Sequence, residues 1–107
     1  MILKVPEDRF NLMGTTWRVV RVGRMEDVDP DGNELLWGRC NSIRREIRLY
    51  SGGDPFDMAQ TFLHELTHAV TKELGIKWGD DEPSVDTFSR TWLDTLVRNG
   101  IISIEEE

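Results

Sequence analysis

The sequence predicts an α+β fold, a small and mostly antiparallel β-sheet followed by two helices, on three observations. The first half of the chain carries β-branched and aromatic runs at the alternating period of strands. The second half repeats apolar residues at threes and fours, the period of helices, and the change falls at Ser51-Gly52-Gly53. With 107 residues the chain suits one domain around a single modest core. No repeat, low-complexity tract or linker divides residues 1–107.

Residues 15–22, T-T-W-R-V-V-R-V, read as a strand that ends at Gly23. The cluster D-V-D-P-D-G-N-E, residues 27–34, reads as an acidic hairpin turn, and L-L-W-G-R after it as a short candidate strand. Asp27, Asp29, Asp31 and Gly32 also fit the opening of a calcium loop. Glu34 and Gly38 then stand where such a loop needs an apolar residue and a bidentate glutamate, so calcium is set aside. Residues 43–50, I-R-R-E-I-R-L-Y, read as a half-buried strand. Ile43, Ile47 and Leu49 share one face and Arg44, Glu46, Arg48 and Tyr50 the other, with Arg45 out of pattern.

Asp54-Pro55 is a helix start, with the acid as cap and the proline in the first turn, where its missing N–H costs nothing. The helix runs to about Leu74 and stops at Gly75, its core stripe being Ala59, Phe62, Leu63, Leu66, Val70 and Leu74. A second helix opens with acids and Pro83 and closes before Gly100. Its stripe is read as Val85, Phe88, Trp92 and Leu96, with Ser89 and Leu93 alongside. Of Trp17, Trp37, Trp78 and Trp92, all read as core or loop-anchoring residues, only Trp92 falls on a clear stripe.

Composition excludes several classes. Hydrophobic residues at 38% and charged ones at 31% indicate a folded domain rather than disorder. A formal net charge of -7 repels nucleic-acid backbones and anionic membranes, and the basic run Arg39–Arg48 reads as a solvated strand face. No apolar run reaches the ~18 residues of a membrane span, and the first residues lack a signal-peptide core. The single Cys40 precludes an internal disulfide. A cytoplasmic protein is expected.

Both histidines of the chain lie in T-F-L-H-E-L-T-H-A-V, residues 61–70. At ~100° per residue, His64 and His68 sit one turn apart, roughly opposite Leu66, with Glu65 on the same polar side. Structural histidines usually sit on or beside an apolar stripe, whereas these two converge away from it, as a metal requires. Zinc binds neutral imidazole nitrogens, and a catalytic site adds a third protein ligand and leaves one position for water. Glu65 between the histidines is then the general base that takes a proton from a metal-activated water. Glu82 leads the second helix in line with its core stripe, where an acid is costly unless paired or bound to a cation, so it is the candidate third ligand. A helix-start acid favoured by the dipole is the plainer reading of that residue. Asp86, one turn on, is a candidate partner for the far nitrogen of a ligating histidine and the alternative third ligand.

His64-Glu65-Leu66-Thr67-His68, followed by Glu82, Val85, Asp86, Phe88 and Ser89, resembles the gluzincin arrangement. More closely, the chain resembles small phage- and prophage-encoded metallopeptidase-like proteins and the ImmA/IrrE-type metallopeptidase domains. It departs from the latter at Val85 and Asp86, where they carry Ala and Asn. The resemblance covers most of the chain. It implies a minimal zincin holding one zinc ion on His64, His68 and Glu82, and hydrolysis of a peptide or protein substrate. In such folds an edge strand pairs with extended peptide, and residues 43–50 are the candidate edge, with basic side chains that favour acidic peptides. Tyr50, the only tyrosine, is a candidate stabiliser of the transition state, although a rim aromatic is the plainer reading. The groove of so small a domain is shallow, so either one particular protein is the substrate or a partner completes the site. Two further readings stand beside the peptidase: a zinc-stabilised phage accessory or interaction module that cleaves nothing, and a metal-free helical binding domain.

Overall fold

The computed structural model describes residues 1–30, 32 and 36–105. It is α+β. Strands β1 (Ile2–Leu3), β2 (Arg9–Leu12), β3 (Thr15–Val22), β4 (Gly38–Asn41) and β5 (Glu46–Tyr50) precede helices α1 (Pro55–Leu74) and α2 (Glu82–Arg98), and β6 (Ser103–Ile104) closes the chain. Four strands form one sheet in the order β2-β3-β5-β4, and β1 pairs with β6 in parallel.

The sheet is mixed. β2 and β4 run antiparallel to their neighbours, while β3 and β5 are parallel. That pairing corrects the hairpin expected at residues 27–34, because β3 and β4 are not neighbours. The segment after β3 instead crosses the sheet, with a 3-10 turn at Met25–Asp27 and Val28 wholly buried. Asp31, Asn33, Glu34 and Leu35, and with them part of that turn, lie outside the described residues.

β5 is also not the edge strand expected of residues 43–50, since it lies between β3 and β4. Ile47 and Leu49 are both 0% exposed, and only an interior position lets neighbours shield them from both sides. The short and more polar G-R-C-N of β4 takes the edge. Residues 42–45 are the β4–β5 turn, so Ile43 projects into solvent rather than toward the core. Asn41 Oδ1 accepts from the backbone N–H groups of Ile43 and Arg44 at 3.1 and 3.0 Å. Arg45 adopts φ 53°, which is why it breaks the alternation.

β2 is an element the sequence reading passed over. Arg9-Phe10-Asn11-Leu12 alternates cleanly, and Met13 and Gly14, at φ 52° and 84°, make a two-residue hairpin loop onto β3.

Core packing joins Trp17, Val19, Ile47 and Leu49 of the sheet to Met58, Ala59, Phe62 and Ala69 of α1. The anchoring tryptophan is Trp17, 2% exposed and stacked on Phe10 at 5.9 Å, not Trp92, which is 51% exposed. On α1 the expected stripe is rotated: Leu74 is 53% exposed, while Met58, Ala69 and Glu65 are buried. The helix is covered by the sheet and also by α2, so its buried arc is wider than one stripe.

On α2 the buried line is Val85, Ser89 and Leu93 rather than Val85, Phe88 and Trp92. Small Ser89 lets the helices approach, and its hydroxyl accepts from buried Gln60 Nε2 at 3.2 Å. Leu93→Ala is therefore expected to cost ~3 kcal/mol in urea unfolding, and Trp92→Ala about 1 kcal/mol or less. Equal costs would reinstate the stripe read from the sequence.

Candidate metal centre

α1 carries the centre because its ends are well specified. Asp54 accepts from the Asp57 N–H at 2.8 Å, Pro55 occupies the first turn, and Gly75 terminates the helix at φ 68°. His64 and His68, one turn apart, have ring centroids 5.1 Å apart and side chains 18% exposed. A 3-10 turn at Lys77–Asp80 then sets the start of α2, where Asp81 accepts from the Ser84 N–H at 3.1 Å. Glu82 is thereby held against both histidines.

His68 Nδ1 lies 2.9 Å from the Gly79 carbonyl, which only accepts, so this nitrogen carries the hydrogen. His64 Nδ1 faces Asp86 Oδ1 at 3.4 Å, which orients the second ring in the same sense. Both Nε2 atoms then turn to the Glu82 carboxylate, at 3.0 Å from His64 and 2.7 Å from His68. With neutral rings, lone pairs face lone pairs there, and the contact is repulsive unless a positive centre is shared. Two imidazole nitrogens and a carboxylate are a donor set that divalent transition metals take, zinc among them. Tetrahedral donors at ~2.0–2.1 Å from an ion stand ~3.3 Å apart, so an ion seated here would spread the three groups from their present hydrogen-bond separations. The residues fit such a group. Independently of Glu82, ligand atoms of His64, Glu65 and His68 lie within 4.8 Å of one another, close enough to hold a metal ion.

The structure alters the grounds for two of these residues. Glu82 makes the expected contacts although its side chain is 68% exposed, so burial is not what calls for its partners. Glu65, expected on a solvent-facing side, is only 7% exposed. Edge strand β4 covers it. Gly38 permits the approach, because a Cβ there would stand 2.6 Å from Thr61 Cγ2 and 3.0 Å from Glu65 Cγ. Burial, and then the nearby Glu82 charge, push the Glu65 carboxyl up to about 8, against the lowering effect of a hydrogen bond from the Cys40 backbone. Cys40 itself is pushed up to about 12 by burial and by Glu65, so its thiol stays protonated and is no nucleophile at neutral pH.

A groove of about 790 Å³ runs between β4 and the α1–α2 side, with Gly38, Cys40, His64, Glu65, His68 and Glu82 among its lining. Tyr50 is not among them: its ring packs edge-on against Trp37 at 5.4 Å and lies over Gly52. Arg44 and Arg48, expected to colour the groove, line a different crevice with Glu46. Of the basic run, Arg39 borders both the groove and that crevice, and its guanidinium pairs with Asp29.

Gly79 is the site residue that sequence reasoning missed, because a backbone carbonyl leaves no mark in residue type. A Cβ on Gly79 would stand 2.0 Å from Thr71 Oγ1, and Thr71 is itself 3% exposed and bonded to the Thr67 carbonyl at 2.7 Å. Gly79→Ala must therefore displace the turn and the carbonyl that orients His68. Zinc affinity, measured by competition with a chromophoric chelator, is expected to fall about tenfold or more. An unchanged affinity would show that Gly79 does not position the ring.

No family model, curated protein or solved structure matches the chain. Among the described residues no helix is long and apolar enough to cross a membrane.

Proposed function

We propose that this chain is a metallopeptidase of minimal zincin type, holding one zinc ion on His64, His68 and Glu82 and hydrolysing peptide bonds in a peptide or protein substrate inside the cell. The observation that carries the reading is the convergence of both Nε2 atoms on the Glu82 carboxylate, 3.0 Å from His64 and 2.7 Å from His68, with the His68 Nδ1 hydrogen engaged by the Gly79 carbonyl and His64 Nδ1 facing Asp86. Zinc at such a site would act as a Lewis acid on the scissile carbonyl and on water. The chain supplies the rest. Gly79 and Asp86 orient the two imidazoles, and β4, whose outer edge pairs with no other strand among the described residues, offers backbone groups for an extended peptide. Glu65 takes the proton of the attacking water and returns it to the leaving amine.

The placement of Tyr50 against Trp37 favours a second reading, a zinc-stabilised interaction module that keeps the ligands and cleaves nothing. Incubation of zinc-loaded protein with a mixed peptide pool, read by mass spectrometry, separates the two. Cleavage that stops with a chelator and in Glu65→Gln, with zinc retained in that variant, supports the peptidase. Intact peptides alongside stoichiometric zinc leave the module, and protein that takes up no zinc sinks both.

A further inference from the structure

α1 packs on one face of the four-stranded sheet and α2 packs against α1, and the other face of the sheet has an unusual charge for this chain. Alternation sends Trp17, Val19, Ile47 and Leu49 to the core, so the residues between them project from the opposite face. There the register sets Arg9 directly across from Arg18, Arg18 beside Glu46, and Arg39 across from Arg48. Arg44, in the β4–β5 turn, joins Arg39 and Arg48 around a crevice of about 110 Å³ beneath Val28 and Pro30.

Among the described residues, Glu46 and Asp29 on this face are already engaged. Glu46, 6% exposed, accepts from Arg18 at 2.7 Å and from Arg48 at 3.4 Å, and Asp29 accepts from Arg39. Arg48 is committed to its surroundings, with Nε and Nη2 donating to the Asp27 carbonyl while Nη1 reaches Glu46. The contacts of Arg18 and Arg39 use only part of each guanidinium's five donors and leave those side chains 68% and 41% exposed. Arg9 and Arg44 are exposed as well. Like charges directly opposite each other across a strand pair destabilise the isolated sheet, a cost that a bound anionic group removes. In a chain of net charge -7, this concentration of arginine is a complementary surface for negative charge.

We propose that the face of the sheet turned away from α1, around Arg9, Arg18, Arg39 and Arg44, docks a short acidic segment of a partner protein. The dimensions favour a short segment. Strands ~4.8 Å apart make the face ~15–20 Å wide, the span of about six extended residues at ~3.3 Å each. A longer polyanion such as nucleic acid would run past the patch onto surface where acids outnumber bases, and would be repelled there. The arginine fork pairs with carboxylates in bidentate fashion.

The test is fluorescence anisotropy of a fluorescein-labelled hexaglutamate peptide at low ionic strength. Wild type is expected to bind with an affinity that falls as salt is added. The double variant Arg9→Glu, Arg44→Glu should bind about tenfold or more weakly, and Arg9→Gln, Arg44→Gln by an intermediate factor. Lys77→Glu, a charge change off this face, should bind within about twofold of wild type. Melting temperatures of the variants confirm that fold is kept, since both arginines are exposed. Equal binding by wild type and the double glutamate variant overturns the proposal. So does tighter binding of a single-stranded oligonucleotide than of the peptide. Self-association in sedimentation that the glutamate pair abolishes also overturns it, by making a second copy of the chain the occupant.

Discussion

Glu65→Gln is expected to move activity and stability in opposite directions. Loss of the base lowers kcat/KM on any cleaved peptide about a hundred- to ten-thousandfold, while the same change stabilises the metal-free protein. The stability gain follows from where β4 lies. In the fold the carboxyl keeps its proton up to about pH 8, held there mainly by burial and secondarily by Glu82, against 4.5 for the ordinary group. The folded state therefore binds an extra proton between those values. Its contribution to stability is complete below pH 4.5 and is lost as pH rises through 8, a loss on the order of 4 kcal/mol. Thermal melts in chelator at pH 5, 6.5 and 8 should show wild type falling behind Glu65→Gln as pH rises. A bound dication favours the ionised carboxylate, so zinc should narrow the gap at pH 8. Parallel melting curves for the two proteins across the series would mean that Glu65 carries no buried-charge cost and that β4 does not shield it.

Zinc is expected to raise the melting temperature of chelator-treated wild type at pH 7.5 by about 15 °C. Binding to the folded state alone contributes ~4 kcal/mol at a thousandfold excess over Kd, and a domain of this size shifts several degrees per kcal/mol. His64→Ala and His68→Ala should each abolish the shift, because each removes one of the nitrogens that meet at Glu82. Glu82→Gln should reduce it sharply while leaving the fold unchanged, since that side chain is largely exposed. Calorimetric titration of zinc into the same proteins supplies stoichiometry, with one ion expected per wild-type chain. A wild type whose melting point ignores zinc, in step with all three variants, removes the metal from this centre and the proposed chemistry with it.

Local signals were legible wherever one residue type dictates one backbone conformation or one chemistry. Asp54-Pro55 and Gly75 bound α1 as expected, and Glu82, Pro83 and Gly100 bracket α2. The spacing of His64 and His68 brings their rings together, and Glu82 and Asp86 reach them. Faces were less legible. Phe88 and Trp92 outrank Ser89 and Leu93 in bulk, yet they stand at 42% and 51% exposure, because helix packing selects the side that fits against Gln60 and not the most apolar one. In contact with Trp78 at 5.1 Å, Phe88 instead lines a surface groove of about 770 Å³.

What the sequence by itself determined is the change from strands to helices, the bounds of α1 and α2, and the set of side chains able to meet at one centre. These depend on interactions within a few residues, which composition and period record. Tertiary structure alone decided that β5 lies inside the sheet and β4 at its edge, that Glu65 is buried, that the Gly79 carbonyl orients His68, and that Tyr50 turns to Trp37. Each of these depends on contacts between residues distant in the chain, and in two of them on glycines whose missing Cβ makes room for Thr61, Glu65 and Thr71. Absence of an atom has no periodicity, so only the packed fold reveals what it admits.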